Sequence, residues 1–132
     1  MPHERMQQYL ESIEALVRKL RNAYIERYEE ENLTAERANI RLKIRFQSGA
    51  LLEINEAIVI EDGFLEHLGF RYHFQDQRNQ LIFRYDNTPH FPKLSSFPDH
   101  KHSSTAVVGC TRPDLKEVLD EAVSWEKMRS GK

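Results

Sequence analysis

The sequence predicts an α+β domain of two layers, with helices packed on one face of an antiparallel sheet. Three patterns predict it. Apolar side chains recur every three or four residues over the first thirty positions, alternate every second residue through two stretches between Ile40 and Asp86, and return to helical spacing after Leu115. A chain of 132 residues with 39% hydrophobic content has material for one core and not two. Residues 1–132 therefore read as a single domain.

Met6, Tyr9, Leu10, Ile13, Leu16, Val17, Leu20, Tyr24, Ile25 and Tyr28 fall on one side of a helical projection, with Glu, Arg and Gln on the other. The expectation is one long N-terminal helix ending near Glu29-Glu30-Glu31-Asn32, since acids oppose the negative end of a helix and Asn tolerates the turn that follows. Such a helix covers a sheet and still projects toward a partner. Ile40, Leu42, Ile44 and Phe46 then alternate with Arg41, Lys43 and Arg45, a half-buried strand with a basic outer face. Ser48-Gly49 turns the chain and Leu51 to Ile60 returns it. A three-residue loop of Ser48, Gly49 and Ala50 sets Phe46 opposite Leu52 and Ile44 opposite Ile54.

Asp62-Gly63 marks the next break, with a short turn or helical piece expected over residues 64–68. In the second hairpin Phe70, Tyr72 and Phe74 alternate with Arg71, His73 and Gln75, and the strand from Gln80 to Asp86 follows the polar loop Asp76-Gln77-Arg78-Asn79. Pairing Gln75 with Gln80 sets Phe74 opposite Leu81, Tyr72 opposite Phe83 and Phe70 opposite Tyr85, an aromatic core face. The same register puts Arg71 opposite Arg84 on the other face, near His73 and Asp86. Like charges across a strand pair repel, so Asp86 or an anionic ligand is expected between them. Thr111-Arg112-Pro113-Asp114 starts a second helix with a cap, a proline in the first turn and an acid at the positive end. Leu115, Val118, Leu119, Ala122, Val123 and Trp125 supply its apolar face. The predicted order is a long N-terminal helix, a four-stranded antiparallel sheet of two hairpins, a His/Pro-rich loop and a C-terminal helix.

A net charge of -2 argues against holding nucleic acid by an overall positive field. Locally the balance reverses. Between residues 71 and 112, Arg71, Arg78, Arg84, Lys93, Lys101 and Arg112 outnumber Asp76, Asp86 and Asp99 two to one, so an anionic substrate meets a favourable region. No apolar run reaches membrane-spanning length, and Pro2, His3, Glu4 and Arg5 do not open a secretory signal. The lone Cys110 has no internal disulfide partner, suits a reducing compartment and leaves an intermolecular bridge open. Cytoplasm is the expected location, without membrane association, and a homodimer is left open. No Gly-rich phosphate loop and no nucleophile elbow occur, which removes nucleotide-binding and hydrolase-fold readings. No cofactor is expected.

The run from Phe83 to His102 concentrates groups that donate, accept and stabilise charge. His90, His100 and His102 change protonation near neutrality and are the candidates for proton transfer. Arg84 and Lys101 suit a phosphate, Asp86 suits the orientation of an imidazole, Arg71 and His73 extend the site onto the neighbouring strand, and Tyr85 supports it. Together these fit metal-independent cleavage of an RNA phosphodiester. A metal centre is the structural competitor, using His100 and His102 with His90, Asp86 or Asp99, although the spacing lacks the His-Glu-x-x-His pattern that makes such motifs specific. A third reading has the histidines merely capping loop hydrogen bonds.

Phe83-Arg84-Tyr85-Asp86-Asn87, followed by Pro89-His90 and then Phe97-Pro98-x-His100-Lys101-His102, resembles the signature of the TumE-like toxin family. The resemblance covers most of the chain, from the first hairpin through Asp114-Leu115. It implies the toxin of a two-gene toxin–antitoxin system, neutralised by a protein antitoxin of helix-turn-helix type. One departure is Phe91, which follows His90 where the pattern has a second histidine. Analogy with other small toxins that set a sheet against helices points to RNA or the ribosome as target. The alternatives are a non-catalytic module that recognises an anionic partner and a His-coordinated metal-dependent nuclease.

Overall fold

The structure, a computed structural model, describes residues 3–87, 99–103 and 105–130. Helix α1 (Glu4–Arg18) precedes seven strands, β1 (Ala23–Thr34), β2 (Arg37–Phe46), β3 (Leu51–Glu61), β4 (Phe64–Gln75), β5 (Leu81–Asp86), β6 (His100–Ser103) and β7 (Val107–Gly109), and α2 (Leu115–Ser130) follows. The strands form one sheet in chain order, each antiparallel to its sequence neighbour. The class is α+β, as the periodicities predict, but the sheet has seven strands where four were expected. Met6, Leu10 and Ile13 of α1 and Leu115, Val118, Leu119 and Ala122 of α2 share a single core with the alternate residues Ile40, Leu42, Ile44, Leu52, Ile54, Phe70, Tyr72 and Phe74 of the sheet.

The long N-terminal helix is the first correction. Helix α1 stops at Arg18, Asn22 takes a positive φ of 58°, and the rest of the expected helix is strand β1. Charge explains the outcome. As a helix C-terminus, Glu29, Glu30 and Glu31 would stand against the dipole; as a strand, the acids meet the basic face of β2. Glu29 lies opposite Arg41, and Glu26 holds Arg45 at 2.8 Å. Tyr24, Ile25 and Tyr28 are strand formers that also happen to fit a helical stripe.

Both hairpins keep their predicted faces and shift in register. In β2–β3, Ile44 pairs with Leu52 and Leu42 with Ile54. The loop is Gln47-Ser48-Gly49, one residue earlier than expected, and Phe46 N–H donates to the Ala50 carbonyl at 2.9 Å. Gly49 has a φ of 96°, and a Cβ there would stand 2.9 Å from the Gln77 Cβ, so no other residue fits without strain. Glu126 of α2 fastens this turn, accepting from Ser48 N–H at 2.9 Å and from Ser48 Oγ at 2.5 Å. Asp62 and Gly63, with φ of 52° and 81°, close the next hairpin in two residues, and residues 64–68 belong to β4 rather than to a turn or helix.

In β4–β5 the pairs are Arg71 with Asp86, Tyr72 with Tyr85, His73 with Arg84 and Phe74 with Phe83, with a bulge before Gln75. The shift from the expected register is two residues, which preserves faces because side chains alternate with period two. It also resolves the predicted clash. Arg71 stands opposite an acid instead of Arg84. Strands β6 and β7, of four and three residues, were expected to be loop.

Candidate functional site

Strand pairing alone assembles the site. Two rows run across β4, β5 and β6: Arg71, Asp86 and His100 in one, His73, Arg84 and His102 in the other. These residues alternate with the core residues Tyr72, Phe74, Phe83 and Tyr85, so their side chains project from the sheet face opposite the helices. Six of the residues singled out in the sequence therefore share one surface.

Asp86 is the centre of the cluster. Its side chain is 5% exposed, with His100 Nε2 2.7 Å from Oδ1, Arg84 Nε 3.1 Å from Oδ2, and His102 Nε2 3.8 Å from Oδ2. The Arg84 and His100 contacts are close but poorly directed for hydrogen bonds, so the attraction is chiefly electrostatic. The His100 and His102 rings meet edge to face with centroids 4.8 Å apart. His100 is 1% exposed and His102 is 15% exposed, so His102 presents the ring that solvent reaches. Asp86, His100 and His102 also offer three ligand atoms within 4.8 Å of one another, a set that could hold a metal ion.

His73 sits beside Arg84 in the second row. Burial, reinforced by the positive charges of Arg71 and Arg84, pushes its pKa below the ordinary histidine value, against a smaller opposing pull from Gln75. This ring is neutral at pH 7. Its Nε2 lies 3.0 Å from Gln75 Oε1, while its Nδ1 is buried without a hydrogen-bond partner among the described residues.

Lys101 and Tyr85 lie on the other side of the sheet, which removes both from this cluster. Lys101 alternates with His100 and His102 and so faces α2, where its Nζ lies 2.9 Å from Glu121 Oε2 and 4.8 Å from the Tyr85 ring centroid. Tyr85 Oη donates to Glu121 Oε1 at 2.6 Å. Burial would lower the Lys101 pKa, but Tyr85 and Glu121 outweigh it and raise the value, so this ammonium is committed to the helix. Asp99 and Cys110 are half-buried nearby, and burial pushes the Cys110 thiol up, away from the reactive thiolate. His90 lies outside the described residues.

A second polar cluster was missed in the sequence. Glu56 points into the core, where Tyr9 Oη donates to its Oε1 at 2.5 Å, Tyr72 Oη donates to its Oε2, and His67 Nε2 lies 3.3 Å from Oε2. Arg112 Nη1 donates to Tyr72 Oη at 3.1 Å. Burial pushes the Glu56 carboxyl up, yet the hydrogen bonds and charge of His67 with the two tyrosine hydroxyls outweigh it and hold the group below the usual carboxylate range. The network joins α1, β3, β4 and the segment leading into α2. Its signal was present in the sequence as an acid on the apolar side of the run Leu52, Ile54, Glu56, Ile58, Ile60.

No curated protein and no solved structure matches the chain. Among the described residues, no helix is long and apolar enough to cross a membrane. A family model described as Toxin TumE matches residues 13–129, a span that takes in all seven strands and the whole Asp86 cluster. The likeness carried by the Phe83 to His102 segment thus extends over the entire sheet, and the chain belongs to the TumE family, the toxins of toxin–antitoxin systems.

Proposed function

We propose that this toxin acts on RNA by metal-independent phosphodiester cleavage at the Asp86 cluster. The observation that carries the reading is a buried carboxylate gathering two imidazoles and a guanidinium on the helix-free face of the sheet. His102, the more exposed ring, takes the proton from a ribose 2′-hydroxyl, and the 2′ oxygen attacks the adjacent phosphorus. Behind it, the Asp86 carboxylate balances the positive charge that His102 acquires. The bond to the 5′ oxygen breaks, the imidazole pair returns the proton to that oxygen, and the products are a 2′,3′-cyclic phosphate and a 5′-hydroxyl. Arg84, anchored through Nε, turns its terminal nitrogens toward the phosphate oxygens, and Arg71 adds a second cation. The setting is cytoplasmic, with RNA free or on the ribosome as target and a helix-turn-helix protein as the antitoxin.

One observation favours a second reading. The three ligand atoms of Asp86, His100 and His102 suit a metal-dependent nuclease. Against it, the 2.7 Å between His100 Nε2 and Asp86 Oδ1 is shorter than the roughly 3.3 Å that separates neighbouring ligands of a tetrahedral zinc. Incubating purified protein with end-labelled RNA, with and without chelator, separates the readings. Cleavage that survives chelation and disappears in His102→Ala supports the histidine mechanism, metal dependence supports the coordinated centre, and no cleavage under either condition supports a module that only binds an anionic partner.

A further inference from the structure

The two rows that build the Asp86 cluster do not end at β4. The first continues through Asn55 of β3 to Arg41 of β2, and the second through Glu53 to Lys43 and then Arg27 of β1. A third short row adds Asn39, Ala57 and Gly69. All lie on the face away from the helices. With Asp86 and His100 buried beneath it, the sheet presents a polar surface from His102 to Arg27.

Charge on this surface is unevenly satisfied. Arg27 is held by Glu29 at 2.8 Å and Arg45 by Glu26 at 2.8 Å. Arg41, Lys43 and Arg71 form no ion pair among the described residues, although Arg41 and Arg71 are exposed in the middle of a folded sheet. Arg41, Lys43 and Arg71 gather with Arg27 around one depression in which Glu53 is the one acid of the lining, a local excess of positive charge, while Glu29 and Asp86 stand across from Arg41 and Arg71 on the neighbouring strands.

Shape adds a second observation. Ala57 and Gly69 floor an open depression of about 320 Å³ whose rim carries Asn39, Asn55, Arg41 and Arg71. It adjoins a depression of about 250 Å³ lined by Arg27, Arg41, Lys43, Glu53, Asn55 and Arg71. The first is the size of a single nucleotide unit. Its small floor residues leave room for a base or ribose, its two amides can both donate and accept, and its two guanidiniums suit the flanking phosphates.

From these we infer that the helix-free face of β2, β3 and β4 is a track for single-stranded RNA, with Arg41, Lys43 and Arg71 on the phosphates and the Ala57–Gly69 depression seating one nucleotide beside the Asp86 cluster. The inference deepens the RNA reading and rests on it for the identity of the polymer. Strands stand about 4.8 Å apart, so Arg41 lies about 14 Å from Asp86 across three strand steps. That distance is a few nucleotides. A single strand is required because only unpaired bases can turn toward a flat sheet.

Binding of a fluorescent 2′-O-methyl RNA 12-mer, which the proposed chemistry cannot cut, tests the track independently of cleavage. Anisotropy titrations across a salt series should give a tenfold or greater loss of affinity in Arg41→Gln/Lys43→Gln. The slope of log affinity against log salt should flatten by about 1.4, the share of two phosphate contacts. These neutral variants add no charge beside Glu29 or Glu53, and far-ultraviolet circular dichroism checks that they fold. Ala57→Leu, which fills the depression, should weaken binding with the salt slope unchanged, and Lys127→Glu on α2 should bind as the parent does. Equal binding by parent and Arg41→Gln/Lys43→Gln, or an equal loss in Lys127→Glu, overturns the track. RNA cleavage without such binding overturns the track and leaves the chemistry standing, whereas binding with the predicted losses but no cleavage keeps the track and removes the chemistry.

Discussion

Replacing Asp86 by Asn keeps the side chain's shape and removes its charge, which is the property that organises the cluster. The cost follows from the contacts. Arg84 is 28% exposed and can turn toward water, so losing the carboxylate costs it about 0.5 kcal/mol, as for a surface pair. His100 is 1% exposed and has no such escape. Its charge-assisted contact is worth about 1.5–3 kcal/mol. The sum is about 2–3.5 kcal/mol, or a fall in Tm of about 10 °C for a domain of this size. If Asp86 also orients the imidazoles, RNA cleavage measured well below the melting range should drop about a hundredfold. His102→Ala is the companion variant: the same or greater loss of rate, with less than about 1 kcal/mol of stability, because the ring is partly exposed and its contact with Asp86 is long. Thermal melts and single-turnover cleavage on both proteins check the pair. An Asp86→Asn protein that melts with the parent refutes the electrostatic account, and one that melts early yet cleaves normally makes the carboxylate purely architectural.

Two further outcomes are expected. Glu56→Gln should lose about 2–4 kcal/mol at pH 7 in urea unfolding, since it weakens a buried carboxylate's bonds to Tyr9, Tyr72 and His67. Because the folded Glu56 carboxyl is held below its ordinary 4.5, its contribution is present above that pH and is lost as pH falls through the lower folded value. The parent should therefore lose stability more steeply than Glu56→Gln below about pH 4.5, and parallel curves would contradict the network's role. Lys101→Ala should leave RNA cleavage within about threefold of the parent and cost no more than about 1 kcal/mol, because its ammonium serves Glu121 on the opposite face. A loss of rate comparable to His102→Ala, measured on the same RNA, would return Lys101 to the site.

What could be read in advance was parity, and what escaped was position along the strand. The faces of both hairpins follow from alternation, so Arg71, His73, Arg84 and Asp86 were placed together correctly even with their partners two residues out. Register depends on the turn, and neither the Gln47-Ser48-Gly49 loop nor the bulge before Gln75 has a strong local signature. Strand β1 was hidden because Tyr24, Ile25 and Tyr28 satisfy two periods at once, and only the acids facing β2 decide between them. Strands β6 and β7 are too short for periodicity; β6 forms by pairing with β5 and β7 by pairing with β6, contacts no local pattern encodes. The placement of Lys101 was readable. If His100 and His102 share a side of an extended segment, the residue between them points the other way.

The order of strands across the sheet has a consequence for when the Asp86 cluster is assembled. A meander grows from one edge, and each new strand is templated by the one synthesised just before it. Arg71, His73, Arg84 and Asp86 are laid down first, on β4 and β5, while His100 and His102 reach them only when β6 docks late in the chain. A nascent polypeptide still threaded through the ribosome up to Asp86 thus carries the cations and the carboxylate but not these two imidazoles. On the proposed chemistry, the site would be complete only after β6 has left the ribosome and joined β5.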